Sequence, residues 1–194
     1  MARPVASAWP CALALSALLL GAPAGAESLL GLEVTHRDGR YRLSADMQIA
    51  APPAAVRTRL TDYARLSALN PAIRSSRVEP ARAPYAARVT TVVEACIQQL
   101  FCRELKRVED VRELPERLVA VIVPAGSDFS AGRTEWRLRP SAGGVRVEYR
   151  AELTPDFAVP PVLGTALVQQ AMERELRLLL RALERLARAD SGAR

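Results

Sequence analysis

The sequence predicts an α+β domain in which a curved antiparallel sheet wraps one long C-terminal α-helix, with short helices after the first strand. Two patterns carry that expectation. Residues 144–154 alternate strictly: Val145, Val147, Tyr149, Ala151 and Leu153 fall on one face, and Arg146, Glu148, Arg150 and Glu152 on the other. Such alternation belongs to an antiparallel sheet with one wet face. Residues 162–189 form the longest helical pattern, with Leu163, Leu167, Met172, Leu176, Leu179, Leu183 and Leu186 at helical spacing and Arg174, Arg177, Arg181, Arg185 and Arg188 on the other side. A half-apolar sheet must bury that face against another layer. This helix is the one element large enough to cover it.

Taken in order, the first 26 residues read as an address. Arg3 precedes an uncharged apolar run over residues 11–20, Gly21 and Pro23 break the run, and Ala24-Gly25-Ala26 forms a small-x-small cleavage signal. The run is about half the ~20 residues that a bilayer span needs. A cleaved signal peptide over 1–26 is expected, leaving one domain over 27–194 in the periplasm or outside the cell, mature from about Glu27. Residues 41–49 alternate enough for a strand. Pro52-Pro53 then opens a helical stretch over 53–68, proline being suited to a first turn, with Val56, Leu60, Tyr63 and Leu66 on one side. From there to about 154 the texture is β: 73–79, 86–96, 99–113, 117–123, 131–139 and 144–154 are separated by proline- and glycine-rich turns. His36, in a polar THRDGR stretch, reads as a solvated turn residue before the first strand.

Composition excludes several classes. At 49% apolar and 25% charged residues the chain is not disordered. One histidine and three cysteines cannot supply a multi-histidine or four-cysteine metal site, so no metal and no cofactor is expected. Cys96 and Cys102 are the cysteines left after export. Six residues apart across a hairpin, they would form a disulfide; the alternative is two buried thiols. The formal charge of +6 is spread: every basic residue but Lys106 is arginine, and the run RELKRVEDVRELPER holds both signs equally. That argues for a solvated surface, and against nucleic acid. The arginine side of the long helix leaves open a transient contact with a membrane surface. No nucleophile elbow, metalloprotease or phosphate-loop motif is present, and no catalytic residue is assigned. Tyr63, Tyr149 and Arg133 are the polar groups available to a cavity. Glu94 and Glu135 fall on the wet face, and Asp62 reads as a helix cap.

The order of elements, and several local stretches, resemble the START-like (helix-grip) superfamily, especially its polyketide cyclase/dehydrase and coenzyme-Q-binding branch. The stretches are Ile49-Ala50-Ala51-Pro52-Pro53; Thr61-Asp62-Tyr63 with Leu66, Asn70-Pro71 and Ser76-Arg77-Val78; Ser127-Asp128-Phe129 with Gly132 and Trp136; and Thr154-Pro155-Asp156-Phe157 with Pro160-Pro161 and Gly164. The match spans about 41–188. It implies a cavity between sheet and long helix for a hydrophobic small molecule, of lipid or quinone type, with Tyr63, Leu66, Leu69, Phe129, Trp136, Phe157 and Met172 facing it. Loops near 80–84 and 124–130 would form its mouth. A binding protein without enzymatic activity is the leading expectation. A cyclase- or dehydratase-like enzyme on the same fold is the alternative, and would require two or three polar side chains inside the cavity.

Overall fold

The structure is a computed structural model, and it describes residues 28–97, 101–159 and 164–192. The expected leader, and Leu163, lie outside those residues. Eight strands form one antiparallel sheet: β1 (Ser28–Arg37), β2 (Arg40–Ile49), β3 (Ile73–Glu79), β4 (Ala87–Ile97), β5 (Phe101–Leu114), β6 (Arg117–Ile122), β7 (Phe129–Ser141) and β8 (Gly144–Pro155), in the order β1-β2-β8-β7-β6-β5-β4-β3. Helix α1 (Pro53–Leu60) and a short 3-10 helix (Tyr63–Ala68) follow β2, and α2 (Thr165–Gly192) ends the described chain. None of the described helices is long and apolar enough to cross a membrane.

Alternation in register builds the inner face. Ala45 pairs with Tyr149, Met47 with Val147 and Ile49 with Val145; Trp136 pairs with Tyr149 and Leu138 with Val147. These residues meet Leu176, Leu180, Leu183 and Ala187 of α2, and Val56 and Leu60 of α1, in one core. The expected inner stripe of α2 is therefore rotated slightly: Leu180 is fully buried and Ala187 completes the seam, whereas Met172 is only partly covered. Asp62 stands before the 3-10 helix, but its carboxylate accepts from Arg65 Nε at 2.8 Å and makes no cap hydrogen bond.

Strand β1 departs from the expected plan. His36 lies within it, paired with Tyr41 and stacked on that ring at 4.3 Å between centroids, so it is not a turn residue. The turn is Asp38-Gly39, both at positive φ (51° and 72°), the backbone of a two-residue hairpin whose twist suits the flanking strands. A register shift between Leu29 and Gly31 adds one residue on the β1 side, so that Leu29 and Leu32 both pack on the core. That extra residue breaks the period of two.

Cys96 and Cys102 face each other across β4 and β5 and are joined by a disulfide. Arg174 of α2 donates to the Cys96 carbonyl at 3.0 Å, tying that end of the hairpin to the helix.

Candidate functional site

A cavity of about 180 Å³ lies inside the sheet, under the 3-10 helix and beside α2. Its apolar walls come from all layers: Leu66 and Leu69 from the helical segment, Val89, Val93 and Val111 from β4 and β5, Leu118 and Trp136 from β6 and β7, and Leu179 from α2. Trp136 rests on Tyr149 at 4.4 Å between ring centroids.

Of the seven expected contacts, Tyr63, Leu66, Leu69 and Trp136 line this cavity. Phe129, Phe157 and Met172 are not among its described lining. A bulge between Phe129 and Ala131 carries Phe129 to the inner face beyond Gly132. There Leu153 and Ile122 close over the glycine so tightly that a Cβ on Gly132 would sit 2.6 Å from Leu153 Cδ2 and 2.8 Å from Ile122 Cγ1. Behind that wall Phe129 and Phe157 meet edge to face at 6.2 Å, with the Arg103 guanidinium 4.1 Å from the Phe157 ring centre. The 124–128 loop is stitched to β5, through Val123 N to Val108 O and through Asp128 Oδ2, which accepts from Lys106 N at 2.6 Å. The loop expected at the mouth is therefore held against β5.

The cavity also holds a polar cluster, of which the sequence reading named Tyr149 and missed the other members. Arg107 and Glu109 sit two apart on β5, so both point inward; Arg107 Nη2 donates to Glu109 Oε1 at 2.5 Å. Thr91 pairs with Arg107 in register, and Thr134 and Tyr149 stand across the cavity on β7 and β8. Arg107 Nε is buried without a hydrogen-bond partner, and the Thr134 hydroxyl is hydrogen-bonded to the Tyr149 phenol oxygen. Arg107 keeps 24% of its side-chain surface accessible, and that surface faces the cavity. Burial works against its charge, but Glu109 and Tyr149 more than offset it, and the guanidinium is held above its ordinary value. Burial pushes the Tyr149 phenol up; Arg107 pulls it back and Glu109 adds to the rise. Tyr63 is likewise raised, first by burial and then by Glu113, which accepts its hydroxyl hydrogen bond at 3.0 Å.

Chemically, this is an apolar pocket with a permanent cation, a neutral phenol and one unused donor, Arg107 Nε, along one wall. It can hold a ring or short chain by apolar contact and an oxygen acceptor by hydrogen bonding. Arg133, Glu135 and Glu94 are not part of it. Arg133 and Glu135 lie on the outer face, and Glu94 pairs with Arg74. Arg107 and Glu109 share a strand face with Leu105 and Val111, but Val108 is buried on the other face, so the pattern does not mark which face turns inward.

Known proteins bear on this geometry. A family profile described as polyketide cyclase/dehydrase and lipid transport matches residues 40–188. No curated protein matches. Among solved structures, a protein from Thermus thermophilus superimposes with TM-score 0.59 at 24% identity, covering 78% of this chain and 99% of that one. A STAR-related lipid transfer protein fragment from Xanthomonas axonopodis gives 0.58 at 16% identity, covering 79% and 98%. The Zhui aromatase/cyclase from a Streptomyces species gives 0.58 at 14%, covering 80% and 96%. At these identities the likeness is one of fold, and it is the helix-grip arrangement.

Proposed function

Because the chain belongs to the polyketide cyclase/dehydrase and lipid transport family, we propose that it is an exported protein that binds a hydrophobic small molecule carrying one oxygen acceptor. The observation that supports this reading is the pairing of apolar walls with the partnerless Arg107 Nε. A buried donor without a partner costs about 1–3 kcal/mol, and a ligand oxygen recovers it. A volume of about 180 Å³ lies below the usual ~300–1,000 Å³ of small-molecule sites. That favours a single ring, such as a quinone head, over a whole lipid. Export is supported by the N-terminal apolar run and by the disulfide.

Trp136 supplies the test, since Trp9, the other tryptophan, falls within the expected leader. Titration of residues 27–194 with a short-chain benzoquinone should quench Trp136 emission saturably at one ligand per chain, and Arg107→Met should weaken binding at least tenfold. A protein that takes up neither quinone nor medium-chain fatty acid, and carries no ligand in native mass spectrometry, would falsify the reading.

A cyclase-like enzyme is the second reading. The convergence of Arg107, Tyr149 and Thr134 favours it, because donors aimed at a carbonyl would stabilise negative charge developing there. Incubation with a poly-β-keto thioester mimic separates the two: a cyclised product supports catalysis, and recovery of unchanged ligand supports binding.

A further inference from the structure

A concavity of about 600 Å³ lies on the opposite, outer face of the sheet. Two adjacent rows of outward side chains cross β1, β2, β8 and β7 there: Glu33, Ser44, Arg150, Glu135, and Thr35, Arg42, Glu152, Arg133. Charge is distributed unevenly along the rows. Glu135 serves three guanidiniums, from Arg137 at 2.8 Å, Arg133 at 3.4 Å and Arg117 at 3.6 Å. Glu152 serves both Arg40 and Arg42, at 2.7 and 2.9 Å. Arg150 Nη1 donates to the Tyr149 carbonyl at 3.0 Å and to the Ala45 carbonyl at 3.4 Å, stands 3.6 Å from Asp46, and leaves its other nitrogens to a ligand. Each carboxylate can therefore release one guanidinium and stay paired, and ion pairs at a solvated surface contribute little to stability. Glu33, by contrast, has no partner among the described residues. Between Glu33 and Arg150 stands only the small Ser44, and strands two apart are separated by roughly 10 Å.

The geometry points to a second binding site, for a ligand that carries a phosphate and an ammonium a few bonds apart, as phosphoethanolamine does. The phosphate lies over Ser44 between Arg42 and Arg150, where guanidinium forks match its oxygens. The ammonium meets Glu33. A simple anion fits less well, since Glu33 and Glu152 would repel it. A simple cation would face the surplus arginines. The ligand is either free in solution or the headgroup of a phospholipid, and the site is independent of the cavity.

The test is a titration of the leaderless chain with phosphoethanolamine, inorganic phosphate and ethanolamine, read by amide chemical-shift changes on β1, β2 and β8. Phosphoethanolamine should bind at least fivefold tighter than phosphate. Glu33→Gln should erase that advantage without weakening phosphate. Arg150→Gln should weaken both ligands, and Arg177→Gln on α2 should change neither. Arg150→Lys, which keeps the charge and loses the fork, should recover only part of the affinity. Sedimentation with phosphatidylethanolamine vesicles, against phosphatidylglycerol vesicles of equal size, distinguishes the sources. Binding of the free compound alone supports a soluble ligand, and Glu33-dependent binding to the first vesicles alone supports a headgroup. Equal affinity for phosphate and phosphoethanolamine, an unaffected Glu33→Gln variant, or no binding in either format overturns the assignment.

Discussion

Arg107 and Glu109 stand two residues apart in a stretch of mixed charge that looks made for water, yet the strand turns both toward the cavity. A buried pair contributes little when intact and costs much when halved, because the survivor is left charged and unpaired. Arg107→Met is therefore expected to destabilise the fold by roughly 3 kcal/mol, toward the low end for such pairs because part of Arg107 faces the cavity. The double variant Arg107→Met/Glu109→Leu should lose less than half as much, since it removes both charges. Urea unfolding of the single and double variants checks this. Losses that simply add would mean that the two side chains do not depend on each other. The cycle also separates structure from ligand chemistry: if the double variant is stable and still fails to quench with quinone, the arginine's role lies with the ligand rather than the fold.

The β4–β5 hairpin shows how an element can be legible while its contents are not. Cys96 and Cys102 close a short loop across it. In the chain-entropy account a loop of that length stabilises by about 2 kcal/mol. Reduction, or the variant Cys96→Ser/Cys102→Ser, should lower the melting temperature by several degrees, and reductant should then have no further effect on the variant. A reductant-sensitive variant would contradict this. The hairpin and its disulfide were readable because turn residues and cysteine spacing are local. The faces of β5 were not. Val108 is buried on the outer side, where the 124–128 loop returns against it, with Gly126 near its side chain. With an apolar residue covered outside and an ion pair inside, alternation carries no directional information. Strand β1 was hidden differently, by the extra residue near Leu30, although Asp38-Gly39 is itself a strong hairpin signal. The family resemblance places Phe129 and Phe157 at the cavity. The bulge in β7 and the wall over Gly132, which set them apart, are properties of the packed sheet.

Across the whole molecule the ionisable groups divide by face, and the division sets how stability responds to pH. On the outer face and strand edges, carboxylates are held low. Arg88 does this for Asp110 through its hydrogen bond. Burial opposes ionisation of Glu135, but Arg137 and Arg117 override it, and Arg42 and Arg40 hold Glu152 down. A carboxyl whose folded value lies below its unfolded one contributes stability above the unfolded value and loses it as pH falls, so stability should decline below about 4.5. Around the cavity the groups are tyrosines, raised chiefly by burial: Tyr149, and Tyr63 with Glu113 adding to the rise. For these the sign reverses. Above the ordinary phenol value of 10.0 the unfolded chain loses protons that the folded chain keeps, so stability falls as pH rises beyond it. The urea midpoint should be level between about pH 6 and 9 and fall on both sides. Tyr63→Phe/Tyr149→Phe should flatten the alkaline limb and leave the acid limb in place, whereas Glu135→Gln should flatten only the acid limb. A wild-type midpoint unchanged between pH 9.5 and 11 would show that these phenols ionise as freely in the folded protein as in the unfolded chain, and that the cavity is open to water rather than walled by Leu66, Trp136 and Leu179.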